Sequence, residues 1–125
     1  REGVQFGAHT VSHPLLTSLS PDALAAELLR SRAVLQEYLG ERVVSVAYPF
    51  GDHDAVVCTV AATCGYVYGL TCEDRPCRLD DLLLMLPRLE VKGSMNLAQF
   101  RRLLGEKPAN APMPIGAAPL AEVRV

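Results

Sequence analysis

The sequence predicts an α/β fold built on a parallel sheet, and three observations carry that reading. Short apolar runs alternate with longer segments of helical periodicity, in the order β-α-β-α-β-loop-β-α. The run at residues 43–48 is continuous and valine-rich, as in a strand covered on both faces. Each helical segment is bounded by residues that start or stop helices. Elements alternating in this way form right-handed crossovers, which bring successive strands together in parallel.

Taken in order, residues 3–8 form a first strand in which Val4, Phe6 and Ala8 alternate with other residues. A loop over residues 9–19 carries two histidines. Ser20-Pro21-Asp22 opens a helix, with serine at the N-cap, proline at the first helical position and an acid in the first turn. Leu24, Leu28, Leu35 and Leu39 recur at helical spacing, and Gly40 ends the segment. Glu27, Arg30, Arg32 and Glu37 lie mostly off that stripe and read as a solvated face. The second strand is 43–48. Asp54 caps a second helix that runs to Cys64, with Val57, Val60, Ala61 and Cys64 inward and Gly65 closing it. Residues 66–70 are a third strand, 71–81 a polar loop, and 87–91 a fourth strand. Asn96 caps a last helix with Leu97, Phe100, Leu103 and Leu104 on its apolar side and Gly105 at its end. From residue 106 the chain turns rich in proline and alanine without periodicity, a linker or tail. The expected division is therefore 1–105 as the folded part and 106–125 as the tail.

The chain has 125 residues and a formal net charge of -2, so there is no basic footprint for nucleic acid. Its apolar runs are too short to span a bilayer. It opens on Arg1 without methionine or a visible leader and reads as internal to a longer protein, an export signal belonging to the missing part. The compartment is open, with the outside of the cytoplasm or the cell envelope favoured. Of the four cysteines, Cys58 and Cys64 fall in the second helix as small hydrophobes, and Cys72 and Cys77 flank the polar loop. Free thiols are expected, with a Cys72–Cys77 disulfide as the alternative on export. Their spacing does not suit a zinc site.

The chemistry concentrates in two stretches. Phe6-Gly7-Ala8-His9-Thr10-Val11-Ser12-His13-Pro14 places two imidazoles four positions apart just after a strand. On a helical turn such positions face the same way, so both rings can hold one ion. A catalytic zinc takes three protein ligands and keeps a position open, so a third ligand must come from elsewhere. Val43-Val44-Ser45-Val46-Ala47-Tyr48-Pro49-Phe50-Gly51 is an apolar strand that ends in a Tyr-Pro-Phe-Gly turn.

His-Thr-x-x-His followed by a strand ending in Tyr-Pro-Phe-Gly resembles the polysaccharide deacetylase family, the chitooligosaccharide deacetylase-like group of carbohydrate esterase family 4. The likeness continues through Ala62-Thr63-Cys64-Gly65-Tyr66 and Leu86-Pro87-Arg88-Leu89-Glu90-Val91 and covers about residues 2–104. The resemblance implies a distorted TIM-like (β/α) barrel with NodB homology. Only about four of its seven or eight strands are here, which makes this its C-terminal half. It also implies a zinc-dependent hydrolase that removes acetyl groups from N-acetylglucosamine-type polysaccharide by cleaving a C–N amide bond.

On this resemblance His9 and His13 are metal ligands. The third, an aspartate, is expected upstream of residue 1 together with the general base. The Phe50 backbone N–H is the oxyanion donor, Pro49 fixes the turn and Tyr48 lines the groove. Thr10 or Ser12 either orients a ring or caps the loop. Two departures matter. Ala47 stands where the family commonly has arginine, and Arg88 is the candidate to replace that charge. The family's late Leu-x-His motif has no counterpart, which leaves His53 as the candidate acid. The alternative reading is a catalytically inactive carbohydrate- or metal-binding module of the same fold. A half barrel leaves an apolar sheet face uncovered. The expected partners are therefore a carbohydrate substrate and either the missing half of the barrel or a second copy, with Val44, Val46 and Tyr68 among the covered residues.

Overall fold

The computed structural model describes residues 3–105. Its core joins a parallel sheet to two helices. Helix α1 spans Pro21–Leu39. Strand β1 is Ser45–Ala47, helix α2 is Ala55–Thr63 and strand β2 is Tyr68–Leu70. Helix α3 is Leu97–Leu103. Short 3-10 turns lie at Leu16–Ser18 and Pro49–Gly51.

β1 and β2 pair in parallel with Val46 opposite Gly69. Single parallel bridges extend the sheet on both sides, Ala8 to Val46 and Leu70 to Leu86. Four parallel segments are therefore adjacent in chain order, as the alternation predicts, but the strands are shorter than the sequence suggests. The expected strand 3–8 contributes only Ala8, whose N–H donates to Ser45 O at 2.8 Å and whose carbonyl accepts from Ala47 N at 2.9 Å. The expected strand 87–91 contributes only its forerunner Leu86, because Arg88 N, the next donor that would face β2, bonds Glu73 O at 3.0 Å instead and the Thr71 carbonyl is taken by Arg88 Nε. At the start of β2 the Val44 carbonyl accepts from both Val67 N and Tyr68 N, at 2.8 and 3.1 Å, which trims the expected strand 66–70.

The helix ends follow the sequence closely. Ser20 Oγ accepts from Ala23 N, and Gly40 closes α1 in the left-handed conformation with φ 65°. Asp54 Oδ1 accepts from Val57 N at 2.8 Å to cap α2. Asn96 and Gln99 form a reciprocal capping box on α3.

α1 and α2 pack on each other, and their buried residues share one core cluster with those of the strands. Leu16, Leu24, Leu28, Val43, Val46, Tyr48, Val57 and Ala61 are all essentially buried there. Each aliphatic side chain of this kind contributes roughly 1.5–3 kcal/mol by leaving water. Arg32 was expected on a solvated face and is instead a cross-brace. Its Nε donates to Val43 O and its Nη1 to Cys64 O, both at 2.8 Å, tying α1 to the entry of β1 and the exit of α2. Among the described residues no buried side-chain polar atom lacks a hydrogen-bond partner.

The expectation for the open face needs correcting. Side chains alternate along a strand, so Val46 and Gly69 turn towards the helices and are buried within this chain. Val44 is half-buried. The other face carries Ser45, Ala47, Tyr68 and Leu70, and Tyr68 is 41% exposed. It is therefore small and mixed rather than valine-rich.

The described residues divide into two compact units, one ending at Glu90 and the other beginning at Val91. In the second, α3 buries no residue fully; on its expected apolar side Phe100 and Leu103 are half-buried and Leu97 and Leu104 exposed. The expected tail at 106–125 lies outside the described residues. All four cysteines are free, with Cys64 buried and Cys72 and Cys77 exposed.

Candidate metal and oxyanion site

His9 follows the last paired residue of the first strand, and His13 lies four positions on. Their ring centroids are 4.7 Å apart with the planes inclined at 73°. The approach does not come from a helical turn. Thr10 and His13 both take left-handed backbone conformations, φ 65° and 58°, so the loop doubles back on itself. For residues with a Cβ each such conformation costs about 1–2 kcal/mol. Thr10 Oγ1 accepts from His13 N at 3.1 Å and closes the loop internally, which makes Thr10 a loop cap.

His9 Nδ1 lies 2.7 Å from the carbonyl of Ala47. A carbonyl only accepts, so Nδ1 carries the proton and Nε2 presents its lone pair. Fixing a tautomer through a backbone carbonyl is how metal-binding histidines are commonly oriented. The departure at Ala47 leaves this contact intact, because the backbone makes it. Both rings are exposed, and His9 borders a recess of about 480 Å³ shared with Thr10, Val11, Arg30 and Ser31. The two imidazoles thus fit a zinc-like ion as neighbouring nitrogen donors. Among the described residues no group of three potential ligands forms, so the third donor is not here.

The Pro49–Gly51 turn stands against the same loop. The Phe50 ring packs edge-on to His13 with centroids 4.6 Å apart. Phe50 is 66% exposed and has φ 58°, followed by Gly51 at φ 70°. The turn's own hydrogen bonds use Gly51 N and Asp52 N, donating to Tyr48 O and Pro49 O at 2.9 Å each, and do not engage Phe50 N. His9, His13 and Phe50 are therefore brought together, with Pro49 buried beneath.

The remaining candidates are placed differently. Tyr48 does not line a groove. Its side chain is fully buried, and its hydroxyl donates to Leu84 O at 2.9 Å. Burial pushes the phenol pKa well up, so it stays protonated. His53 is half-buried behind the turn, stacked on Tyr48 at 5.6 Å with Nδ1 2.7 Å from Gly51 O. Arg88 lies on the far side of the turn. Its Nε donates to Thr71 O at 2.7 Å and its Nη2 lies 3.5 Å from Cys72 Sγ. Cys72 abuts the turn directly, since a Cβ on Gly51 would sit 2.7 Å from its backbone nitrogen.

Two carboxylates that the sequence did not single out hold these loops. Glu27, expected on a solvated face of α1, accepts from Val11 N, Ser12 N and Ser12 Oγ at 2.7, 3.0 and 2.7 Å. The Ser12 hydroxyl first, then the Ser12 and Val11 N–H groups, hold its carboxyl below the usual glutamate range. Asp52 accepts from Thr17 N at 2.9 Å and from Thr17 Oγ1 at 3.0 Å, joining the turn to the loop that carries the histidines. The hint for Glu27 is positional: it lies one turn from Leu24 and Ser31 and beside Leu28, the buried residues of α1.

Comparison with known proteins gives a consistent picture. Residues 1–69, more than half of the chain, match the model of the family described as polysaccharide deacetylase. Chitin deacetylase 1 of Cryptococcus neoformans var. grubii is 38% identical over 63 residues, which are 50% of this chain and 13% of that protein. Among solved structures, deacetylase PplD of Streptococcus pyogenes in complex with acetate superposes with a TM-score of 0.77 at 28% identity, over 83% of this chain and 45% of that one. The polysaccharide deacetylase BC0361 of Bacillus cereus shares the fold, with a TM-score of 0.69 at 24% identity over 80% of this chain and 32% of its own. The chain thus spans less than half the length of these relatives, and its parallel sheet is part of the NodB-type distorted barrel. With the His-Thr-x-x-His loop and the Tyr-Pro-Phe-Gly turn both inside the matched residues, the chain belongs to the polysaccharide deacetylase family.

Proposed function

We propose that this chain supplies the histidine loop and the oxyanion turn of a metal-dependent enzyme that hydrolyses the acetamide of N-acetylated carbohydrate, as part of a longer protein. The observation that carries the reading is the convergence of His9, His13 and the Phe50 side chain, with the turn that bears it, at one place. His9 offers Nε2 because its Nδ1–H is spent on Ala47 O, and His13 offers the second nitrogen. An aspartate upstream of residue 1 is the expected third ligand, and a second the expected base. His9 and His13 would hold a divalent ion, zinc by the character of two imidazole donors, and the chemistry supplied there would be a polarised acetyl carbonyl and a water made nucleophilic near neutral pH.

The chain's own residues then orient the substrate and stabilise charge. Phe50 N–H faces the developing oxyanion, and a preorganised donor of this kind is worth about 3–4 kcal/mol of barrier. Pro49 holds the turn that aims it. The exposed Phe50 ring walls one side of the His13 imidazole and gives a sugar ring an apolar surface. Arg88, held through Thr71 and Cys72, is the candidate to replace the charge that Ala47 lacks. His53 is held by the turn and by Tyr48 and is the weaker candidate for a proton donor.

Acetate release from N-acetylglucosamine oligomers by the full-length protein tests this. Release is expected in the wild type and lost in His13→Ala. A binding module of the same fold, the reading favoured by Ala47 and the missing Leu-x-His motif, would keep zinc and glycan affinity without releasing acetate.

A further inference from the structure

We propose that Glu27 is a positioning residue that sets the two imidazoles at one ion, acting through the loop between them. The inference rests on the metal reading above. The segment from His9 to His13 has two left-handed residues, Thr10 and His13, on either side of Val11 and Ser12. Such conformations persist only where surrounding contacts determine them. Val11 and Ser12 are where Glu27 takes hold, with both carboxylate oxygens engaged by three donors at 2.7–3.0 Å. Glu27 in turn sits on a helix of 19 residues, anchored on the core by Leu24 and Leu28. The loop therefore takes its position from the rigid body of the fold. Glu27's hydrogen bonds reach the loop backbone and the Ser12 hydroxyl and neither imidazole, so its effect on an ion is indirect. An amide cannot replace it, because three donors would face a group that is half donor itself.

The test measures zinc affinity of the full-length protein by competition with a chelating dye. Far-ultraviolet circular dichroism melts of the metal-free form run in parallel. Glu27→Gln should weaken zinc binding about 10–100-fold, the usual effect of losing a group that orients metal ligands, while the metal-free form still melts cooperatively, at a somewhat lower midpoint. Ser12→Ala, which removes one of the three donors, should give a smaller loss. Glu37→Gln, on an exposed part of the same helix, should leave affinity unchanged. Wild-type affinity in folded Glu27→Gln overturns the proposal. If that variant does not fold, Ser12→Ala decides: a loss of affinity supports the proposal and wild-type affinity overturns it. Zinc bound normally by the wild type but indifferent to Glu27 refutes the positioning role alone. Wild type and His13→Ala binding zinc equally would remove the metal reading itself, and the positioning role with it.

Discussion

Replacing Gly51 with alanine should damage the turn through two separable effects. Gly51 has φ 70°, where a residue with a Cβ pays about 1–2 kcal/mol. The added Cβ would also lie 2.7 Å from Cys72 N and 2.8 Å from Cys72 Cβ, closer than folded proteins tolerate. The first of these obstacles is backbone, so the turn or the exit of β2 must move, and overpacking of this kind costs about 1–3 kcal/mol. The sum is about 2–5 kcal/mol. Gly40 provides the control. It has φ 65°, but an added Cβ there meets nothing within 4 Å, so Gly40→Ala should show only the conformational cost of about 1–2 kcal/mol. Urea denaturation of both variants in the full-length protein reads the difference. Acetate release should fall further in Gly51→Ala than in Gly40→Ala, because the movement falls next to Phe50. Equal destabilisation by the two substitutions would show that Cys72 does not back the turn, and would remove the basis for fixing the Phe50 N–H.

Other consequences follow from single contacts. Tyr48→Phe should destabilise by about 1–3 kcal/mol, because Leu84 O is left without its hydroxyl donor; urea denaturation reads this, and zinc affinity should not change. Asp52→Asn should cost about 1 kcal/mol by weakening the Thr17 contacts, a loss that Thr17→Ala should not add to in the double variant. Glu27 gives a pH dependence. Its carboxyl titrates lower in the folded protein than in the unfolded chain, so its contribution is fully present above the unfolded value of about 4.3 and is lost as pH falls through the depressed folded value. The urea midpoint should therefore fall less steeply on acidification in Glu27→Gln than in the wild type.

Caps and periodicity made the helices legible in the sequence. Ser20, Pro21, Gly40, Asp54 and Asn96 all do locally what their chemistry favours, and local chemistry is what a sequence displays directly. The strands were legible in order and direction but not in length, because a strand needs a neighbour to pair with. The residues before Ala8 find none among the described residues, and Arg88 N turns to Glu73 O instead of β2. The histidine pair was visible as a motif, yet its geometry comes from two left-handed residues and a distant carboxylate rather than from a helical turn. Tyr48 and Arg32 show the same limit. A tyrosine beside a motif reads as a groove residue, and an arginine off an apolar stripe reads as solvated. Only the tertiary structure shows that one fills the core and the other bonds carbonyls 11 and 32 positions away.

The central claim is that His9 and His13 hold one ion together. X-ray absorption at the zinc edge of the zinc-loaded full-length protein tests it most directly. Two imidazole nitrogens are expected at about 2.0–2.1 Å from the metal, one fewer in His13→Ala and none in the variant lacking both histidines. An imidazole signal unchanged by loss of both rings, or absent from the wild type, would contradict it.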